Sequence, residues 1–110
     1  MITIVDYGMG NLNSVKNMLK YLGYDSTVTG DPEVIRKADK LILPGVGNFG
    51  TAMDVIRRSD LLDGLNHKVL EDKTPILGIC LGMQLLLEYS EEGGCDGLGW
   101  IPGNVKKFEF

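Results

Sequence analysis

Short apolar runs alternate with amphipathic segments along most of this chain. The runs are rich in β-branched residues and are bounded by glycine, proline or aspartate, which is typical of buried strands. They predict strands over residues 2–5, 26–29, 40–44 and 75–79. Between them, apolar residues recur every three or four positions, which indicates helices. The predicted helices run from a cap at Asn13 or Ser14 to Leu22, then over about 32–38, 51–58, 61–71 and 81–89.

Strands that alternate with helices predict a mostly parallel sheet with helices on both faces, a three-layer α/β/α domain. The apolar stripe of the first helix is expected to lie on that sheet; it consists of Val15, Met18, Leu19 and Leu22. With 110 residues, 44% of them hydrophobic, the chain is long enough for one domain, 1–110, with its own core. The pattern weakens towards the end, where 98–101 and 105–110 predict short strands or loop.

Composition and charge exclude several classes of function. The net charge is −4 and the basic residues are scattered, which argues against nucleic-acid binding and against a polybasic membrane patch. The first apolar stretch is short and leads directly into Asp6, so it is not expected to be a signal peptide. Cys80 and Cys95 form no disulfide framework. We therefore expect a cytoplasmic protein that binds no membrane and no nucleic acid, and we expect no metal and no cofactor.

Ligands of parallel sheets bind beyond the carboxyl ends of the strands, where this chain places its glycine-rich turns. Gly8 and Gly10 follow the first strand and suggest a dinucleotide fingerprint, but Asn13 occupies the third glycine position. Two glycines alone are weak support for a nucleotide site. The turn Pro44-Gly45-Val46-Gly47 could supply an oxyanion-hole donor, although on its own it also fits an ordinary turn at the end of a strand.

Cys80 lies between a short apolar strand and a helix, with Gly78 and Gly82 two residues to either side. This is the G-x-C-x-G form of a nucleophile elbow, in which the sharp turn requires very small flanking residues. The start of the helix also favours a reactive thiolate. A lone cysteine is more often a buried packing residue. The two glycines and the strand-to-helix context favour a nucleophile instead, with the N–H of Leu81 as a second oxyanion donor.

Taken together, the Pro44–Gly47 turn and residues 77–84 resemble the class I (triad-type) glutamine amidotransferases. Residues 6–15 are similar to the start of the glutaminase subunits of imidazole glycerol phosphate synthase, an enzyme of histidine biosynthesis. The resemblance covers the whole chain. It implies a flavodoxin-like fold and a glutaminase that passes ammonia to a barrel-shaped cyclase subunit, its partner in a heterodimer.

The resemblance also implies roles for individual residues. Cys80 would attack the carboxamide of glutamine and form a γ-glutamyl thioester. The oxyanion would lie between the N–H of Leu81 and that of Val46 or Gly47, and glutamine would be held by Gln84 and Glu92. Asn11 and Ser14 match positions that face the synthase subunit.

One family feature is missing from the chain. The family uses a histidine to move protons and a glutamate to orient it, and both lie near its C-terminus. The only histidine here is His67, which the apolar pattern places on the solvated face of its helix. The chain is therefore expected to be an N-terminal portion of such a domain, with negligible glutaminase activity on its own and an exposed sheet edge.

Three other interpretations remain open from the sequence. A paralogous amidotransferase could supply ammonia for amidation of a bacterial surface sugar, with the same glutaminase chemistry. A related cysteine hydrolase or peptidase would carry histidine directly after the nucleophile, where this chain has Leu81. In a non-enzymatic flavodoxin-like binding module, Cys80 would be structural.

Overall fold

The computed structural model describes residues 1–106 and shows a parallel sheet with helices on both faces. Residues 107–110, for which the pattern predicts strand or loop, lie outside the described part of the chain. The elements are, in order, β1 (Ile2–Val5), α1 (Leu12–Tyr21), β2 (Ser26–Thr29), α2 (Pro32–Arg36), β3 (Lys40–Leu43), α3 (Phe49–Arg58), α4 (Leu61–Asn66), a π-helical turn (His67–Glu71), β4 (Ile76–Gly78), α5 (Leu81–Leu85), β5 (Tyr89–Ser90), β6 (Cys95–Asp96) and β7 (Asn104–Val105).

The main sheet has the strand order β2-β1-β3-β4, and every pair in it is parallel. Ile4 lies opposite Val28 on one side and Ile42 on the other. Strands β5, β6 and β7 form a second, small sheet after α5. The predicted α/β fold, with its four parallel strands, is confirmed.

One face of the main sheet carries the principal core. Val5, Leu41 and Leu43 point into it and are at most 2% exposed. The helices on this face contribute the remaining fully buried apolar side chains of this core, namely Ile35, Phe49, Ala52, Met53, Ile56, Leu65 and Leu85. Alternation along β1 and β3 places Ile4 and Ile42 on the opposite face.

The opposite face is only partly covered by the described residues. α1 buries none of its residues fully, and Met18 and Leu22 of the predicted stripe are each 59% exposed. The expectation that the whole stripe packs on the sheet is therefore wrong. α1 makes its main strand contacts with β2, the edge strand, and Met18 and Leu22 are left exposed. Leu77 of β4, 57% exposed, lies in an open apolar groove on the uncovered side.

Helix boundaries differ from the predicted ones at several places. α1 is capped by Asn11, whose side chain accepts from the N–H of Ser14, rather than by Asn13 or Ser14. α3 begins two residues early, at Phe49, because Asn48 caps it. The predicted helix over 61–71 exists, but its last turn is π-helical.

α5 ends at Leu85 rather than continuing to residue 89. The carbonyl groups of Leu85, Leu86 and Leu87 accept hydrogen bonds from the backbone of the segment 98–101. These bonds replace the helical ones, and the segment, predicted as strand or loop, forms a loop over the end of α5. Trp100 anchors this loop by donating from Nε1 to Asn66 Oδ1 at 2.7 Å.

None of the helices in residues 1–106 combines the length and apolar character needed to cross a membrane.

Candidate active site

Cys80 occupies the turn between β4 and α5, and its backbone is strained. Its φ is 54°, a left-handed value that non-glycine residues adopt rarely, and its side chain is exposed. The turn closes because the Cys80 carbonyl accepts from the N–H of Met83 at 3.0 Å. Such strain persists only where the surrounding structure enforces it, and it presents the thiol at the carboxyl edge of the sheet.

The two flanking glycines show how the turn is enforced. A side chain on Gly78 would come within 2.6 Å of the Met83 Cα atom. A side chain on Gly82 would overlap the carbonyl oxygen of Leu43, which also accepts from the N–H of Ile79 at 3.0 Å. The backbone of α5 therefore touches the end of β3 directly, and neither site has room for a Cβ.

The Pro44–Gly47 turn, called the oxyanion loop below, follows β3 and packs against this elbow. A Cβ on Gly45 would come within 3.0 Å of the N–H nitrogen of Gly82. Gly47 has a φ of +100°, and Val46 projects from the turn with 53% of its surface exposed. The loop and the elbow border one open cavity, whose lining residues are Gly45, Val46, Gly47, Cys80, Leu81, Met83, Gln84 and Glu92. The structure thus brings the predicted nucleophile, oxyanion and glutamine-binding residues together.

Gln84 and Glu92 reach this cavity from different elements. Gln84 lies on α5, one turn after Cys80, and is half-buried. Glu92 lies in the turn between β5 and β6, and its Oε1 accepts from the N–H of Phe49 at 3.2 Å. Phe49 begins α3, one residue beyond the oxyanion loop, so the carboxylate lies at the positive end of that helix.

Sequence reasoning missed Tyr7 as a member of this region. Its hydroxyl donates to the carbonyl oxygen of Pro44 at 2.7 Å, and the residue is only 6% exposed. Burial raises the pKa of Tyr7 to about 12. The available signal was a tyrosine in the turn after β1, at the same sheet edge as the Pro44 turn.

The remaining candidate residues lie elsewhere. Asn11 and Ser14 are exposed at the start of α1. His67 is exposed, as expected, and its ring nitrogens face the carboxylates of Glu71 and Asp72. It borders a separate cavity. Within residues 1–106, no group of three or more His, Cys, Asp or Glu side chains is placed to hold a metal ion.

A strained cysteine at the carboxyl edge of a parallel sheet, beside a glycine-rich loop, is the arrangement found in α/β enzymes that act through a thiol nucleophile. Comparison with known families is more specific. Residues 3–105 match the model of the family described as glutamine amidotransferase class-I. The chain belongs to this family.

Several curated relatives are named as subunits of imidazole glycerol phosphate synthase. The chain is 55% identical over 110 residues to the imidazole glycerol phosphate synthase subunit HisH 2 of Methanococcus maripaludis, and the match covers 100% of the chain and 54% of that protein. The HisH subunit of Bacillus cereus is 53% identical, over 99% of the chain and 52% of the relative. The HisH subunit of Leptospira interrogans is 46% identical, over 100% of the chain and 54% of the relative. The chain spans about half the length of the curated relatives it matches.

A solved structure supports the fold. A chain described as the crystal structure of a glutamine amidotransferase superposes with a TM-score of 0.79 at 23% sequence identity. The match covers 96% of this chain and 56% of the other.

Proposed function

We propose that this chain carries the nucleophile of a glutaminase that hydrolyses glutamine to glutamate and ammonia. The observation that carries the proposal is Cys80, held at positive φ in one cavity with the oxyanion loop and the first residue of α5. The relatives are named as subunits of imidazole glycerol phosphate synthase. The ammonia is accordingly proposed to serve imidazole glycerol phosphate formation in histidine biosynthesis.

The proposed reaction runs through a thioester. The Cys80 thiolate attacks the carboxamide carbon of glutamine, and the C=O π electrons move onto oxygen. The N–H groups of Leu81 and of Val46 or Gly47 bind this oxyanion. When the C=O bond reforms, the C–N bond breaks, and the nitrogen takes up a proton and leaves as ammonia. Water then attacks the γ-glutamyl thioester, releasing glutamate and the thiol.

Gln84 and Glu92 are proposed to hold the substrate in this cavity. The Glu92 carboxylate has the charge needed to bind the ammonium group of glutamine, and Gln84 offers an amide for hydrogen bonding. Since Glu92 also accepts from Phe49, the substrate would compete for or share a carboxylate that is already fixed in place.

Proton transfer in this mechanism is proposed to need a histidine, and the described lining of this cavity contains none. His67, the chain's only histidine, is paired with carboxylates on the π-helical turn and borders another cavity. We therefore expect negligible glutaminase activity from the 110-residue chain alone.

The proposed partner is a barrel-shaped cyclase subunit that receives the ammonia, bound at the sheet edge where Asn11 and Ser14 are exposed. Both residues stand at the start of α1, next to the turn that packs on the oxyanion loop. The proposed location is the cytoplasm.

The test is glutamate release from glutamine. The complete gene product and the 110-residue chain are each assayed with and without the cyclase subunit. Cys80→Ser tests the nucleophile, and Cys95→Ser is the matched control, because Cys95 is the other cysteine of the chain. We expect activity from the complete gene product and from its Cys95→Ser variant, and none from Cys80→Ser.

Other outcomes would contradict parts of the proposal. Activity in the 110-residue chain alone would show that its own residues supply the base, with His67 the first to replace. Activity that survives Cys80→Ser would remove the thiol mechanism. Inactivity of every form, with Cys80 alkylated no faster than Cys95, would favour a binding module instead.

A further inference from the structure

Tyr7 connects two segments of the active-site edge that are far apart in sequence. It lies in the turn after β1, and its hydroxyl donates to the carbonyl oxygen of Pro44, 37 residues away. The bond is 2.7 Å long and buried, and Tyr7 packs within the principal core. A buried hydroxyl bond between rigid segments fixes their relative position more firmly than an exposed one.

Gly45 shows how tightly the hydroxyl borders the oxyanion loop. A Cβ on Gly45 would lie 2.5 Å from the Tyr7 oxygen and 3.1 Å from the Leu81 Cβ. The loop backbone at Gly45 therefore packs closely against both the phenol and the residue that follows the nucleophile. Gly10, later in the same turn, also lies beside this loop, since a Cβ there would be 3.4 Å from the Pro44 ring.

We propose that Tyr7 is a positioning residue, whose hydroxyl holds the oxyanion loop at the distance from Cys80 that the developing oxyanion requires. The inference rests on the proposed glutaminase function. Backbone donors stabilise an oxyanion only when they are already fixed where the charge develops. A loosened loop therefore lowers the rate of the chemical step. The phenol is protonated and can donate at neutral pH, and because burial raises the pKa of Tyr7 to about 12 it stays a donor into the alkaline range.

The experiment replaces Tyr7 with phenylalanine in the complete gene product, with the cyclase subunit present. Tyr24→Phe is the matched control, because Tyr24 is 59% exposed. We expect Tyr7→Phe to lower kcat for glutamate release roughly tenfold or more, as loss of an oxyanion-hole interaction does. The KM for glutamine should stay within about twofold, because ground-state binding is not affected. The rate at which iodoacetamide alkylates Cys80 should not change, since this reaction needs no oxyanion donor.

A second variant tests the same contact from the loop side. Gly45→Ala pushes on the Tyr7 hydroxyl, so the losses in kcat from Gly45→Ala and Tyr7→Phe should be clearly non-additive in the double variant. Additive losses would overturn the proposal. An unchanged kcat in Tyr7→Phe would also overturn it. A fall in the alkylation rate that matches the fall in kcat, or loss of the folded circular dichroism spectrum, would show that Tyr7 is a structural residue and would overturn it too. An inactive wild type would instead contradict the proposed function.

Discussion

At the scale of single residues, the elbow around Cys80 requires glycine, with no side chain, at positions 78 and 82. Gly82→Ala would drive a methyl group into the carbonyl oxygen of Leu43, which is backbone and has no room to move. We expect this change to lower the free energy of unfolding by about 3 kcal/mol or more, as severe overpacking does. Gly64→Ala is the matched control, since Gly64 lies in α4 with no atom within 4 Å of its added Cβ.

Gly64→Ala should stabilise the chain by roughly 0.5–1 kcal/mol, because alanine loses less backbone entropy than glycine in a helix. Urea unfolding of the two variants and the wild type measures both effects. Equal effects of the two substitutions would contradict the close approach of α5 to β3.

The buried phenol of Tyr7 predicts how stability depends on alkaline pH. An unfolded tyrosine loses its proton near pH 10, whereas burial raises the pKa of Tyr7 to about 12. Between these values the folded state keeps a proton that the unfolded state has lost, so stability is full below pH 10 and falls as the pH rises towards 12. The loss approaches about 1.4 kcal/mol per pH unit.

The measurement is urea unfolding of the wild type and of Tyr7→Phe at several pH values in this range. Other titrating groups contribute equally to both chains, so the difference between their stabilities isolates Tyr7. That difference should shrink or reverse as the pH rises. Parallel curves would show that Tyr7 titrates normally.

The elbow could be predicted from the sequence because it is local. Cys80 and its two glycines lie within five residues, and the steric need for glycine follows from the turn alone. The bond from Tyr7 to Pro44 joins residues 37 positions apart, and it exists only because β1 and β3 are neighbours in the sheet. No pattern along the chain encodes it.

At the scale of elements, helix ends were harder to predict than helix bodies. The prediction starts the third helix at residue 51, because Gly47 and Gly50 look like loop residues. In the structure Asn48 caps the helix from Phe49, and Glu92 adds a second acceptor from a distant turn. α5 ends early for a similar reason, since its last carbonyls bond to the 98–101 segment. The end of α5 is decided by tertiary contacts, whereas the start of α3 combines a local cap with one tertiary contact.

The cap of α3 leads to a stability prediction. The side chain of Asn48 accepts from the N–H of Thr51 at 3.1 Å. Asn48→Ala should therefore lower the free energy of unfolding by about 1 kcal/mol. Asn17→Ala is the control, because Asn17 is exposed inside α1, where alanine is the better helix former and a small gain is expected. Urea unfolding distinguishes the expected loss of stability in Asn48→Ala from the expected gain in Asn17→Ala. An unchanged free energy of unfolding in Asn48→Ala would mean that Glu92 alone is a sufficient acceptor for the N–H groups at the start of α3.

At the scale of the whole molecule, the two faces of the sheet differ. The face under α2 to α5 has a closed core, whereas the face under α1 leaves Leu77 in an open groove. Within residues 1–106, β4 is paired on one side only, with β3. An apolar edge strand with free N–H and C=O groups is a template for pairing with a second copy. The alternation of apolar runs and amphipathic segments predicted the sheet. How far the second face is covered depends on where α1 packs, which that alternation does not specify.

We therefore expect the 110-residue chain to self-associate through the β4 edge as its concentration rises, which sedimentation velocity measures. Leu77→Lys places a charge in the groove and should shift the chain towards monomer. Leu70→Lys is the matched control, because Leu70 is similarly exposed, at 48%, but lies on the π-helical turn outside the groove. Equal shifts from the two lysines would mean that general surface apolarity, not the β4 edge, drives association. Unchanged association in Leu77→Lys would exclude this edge as the contact.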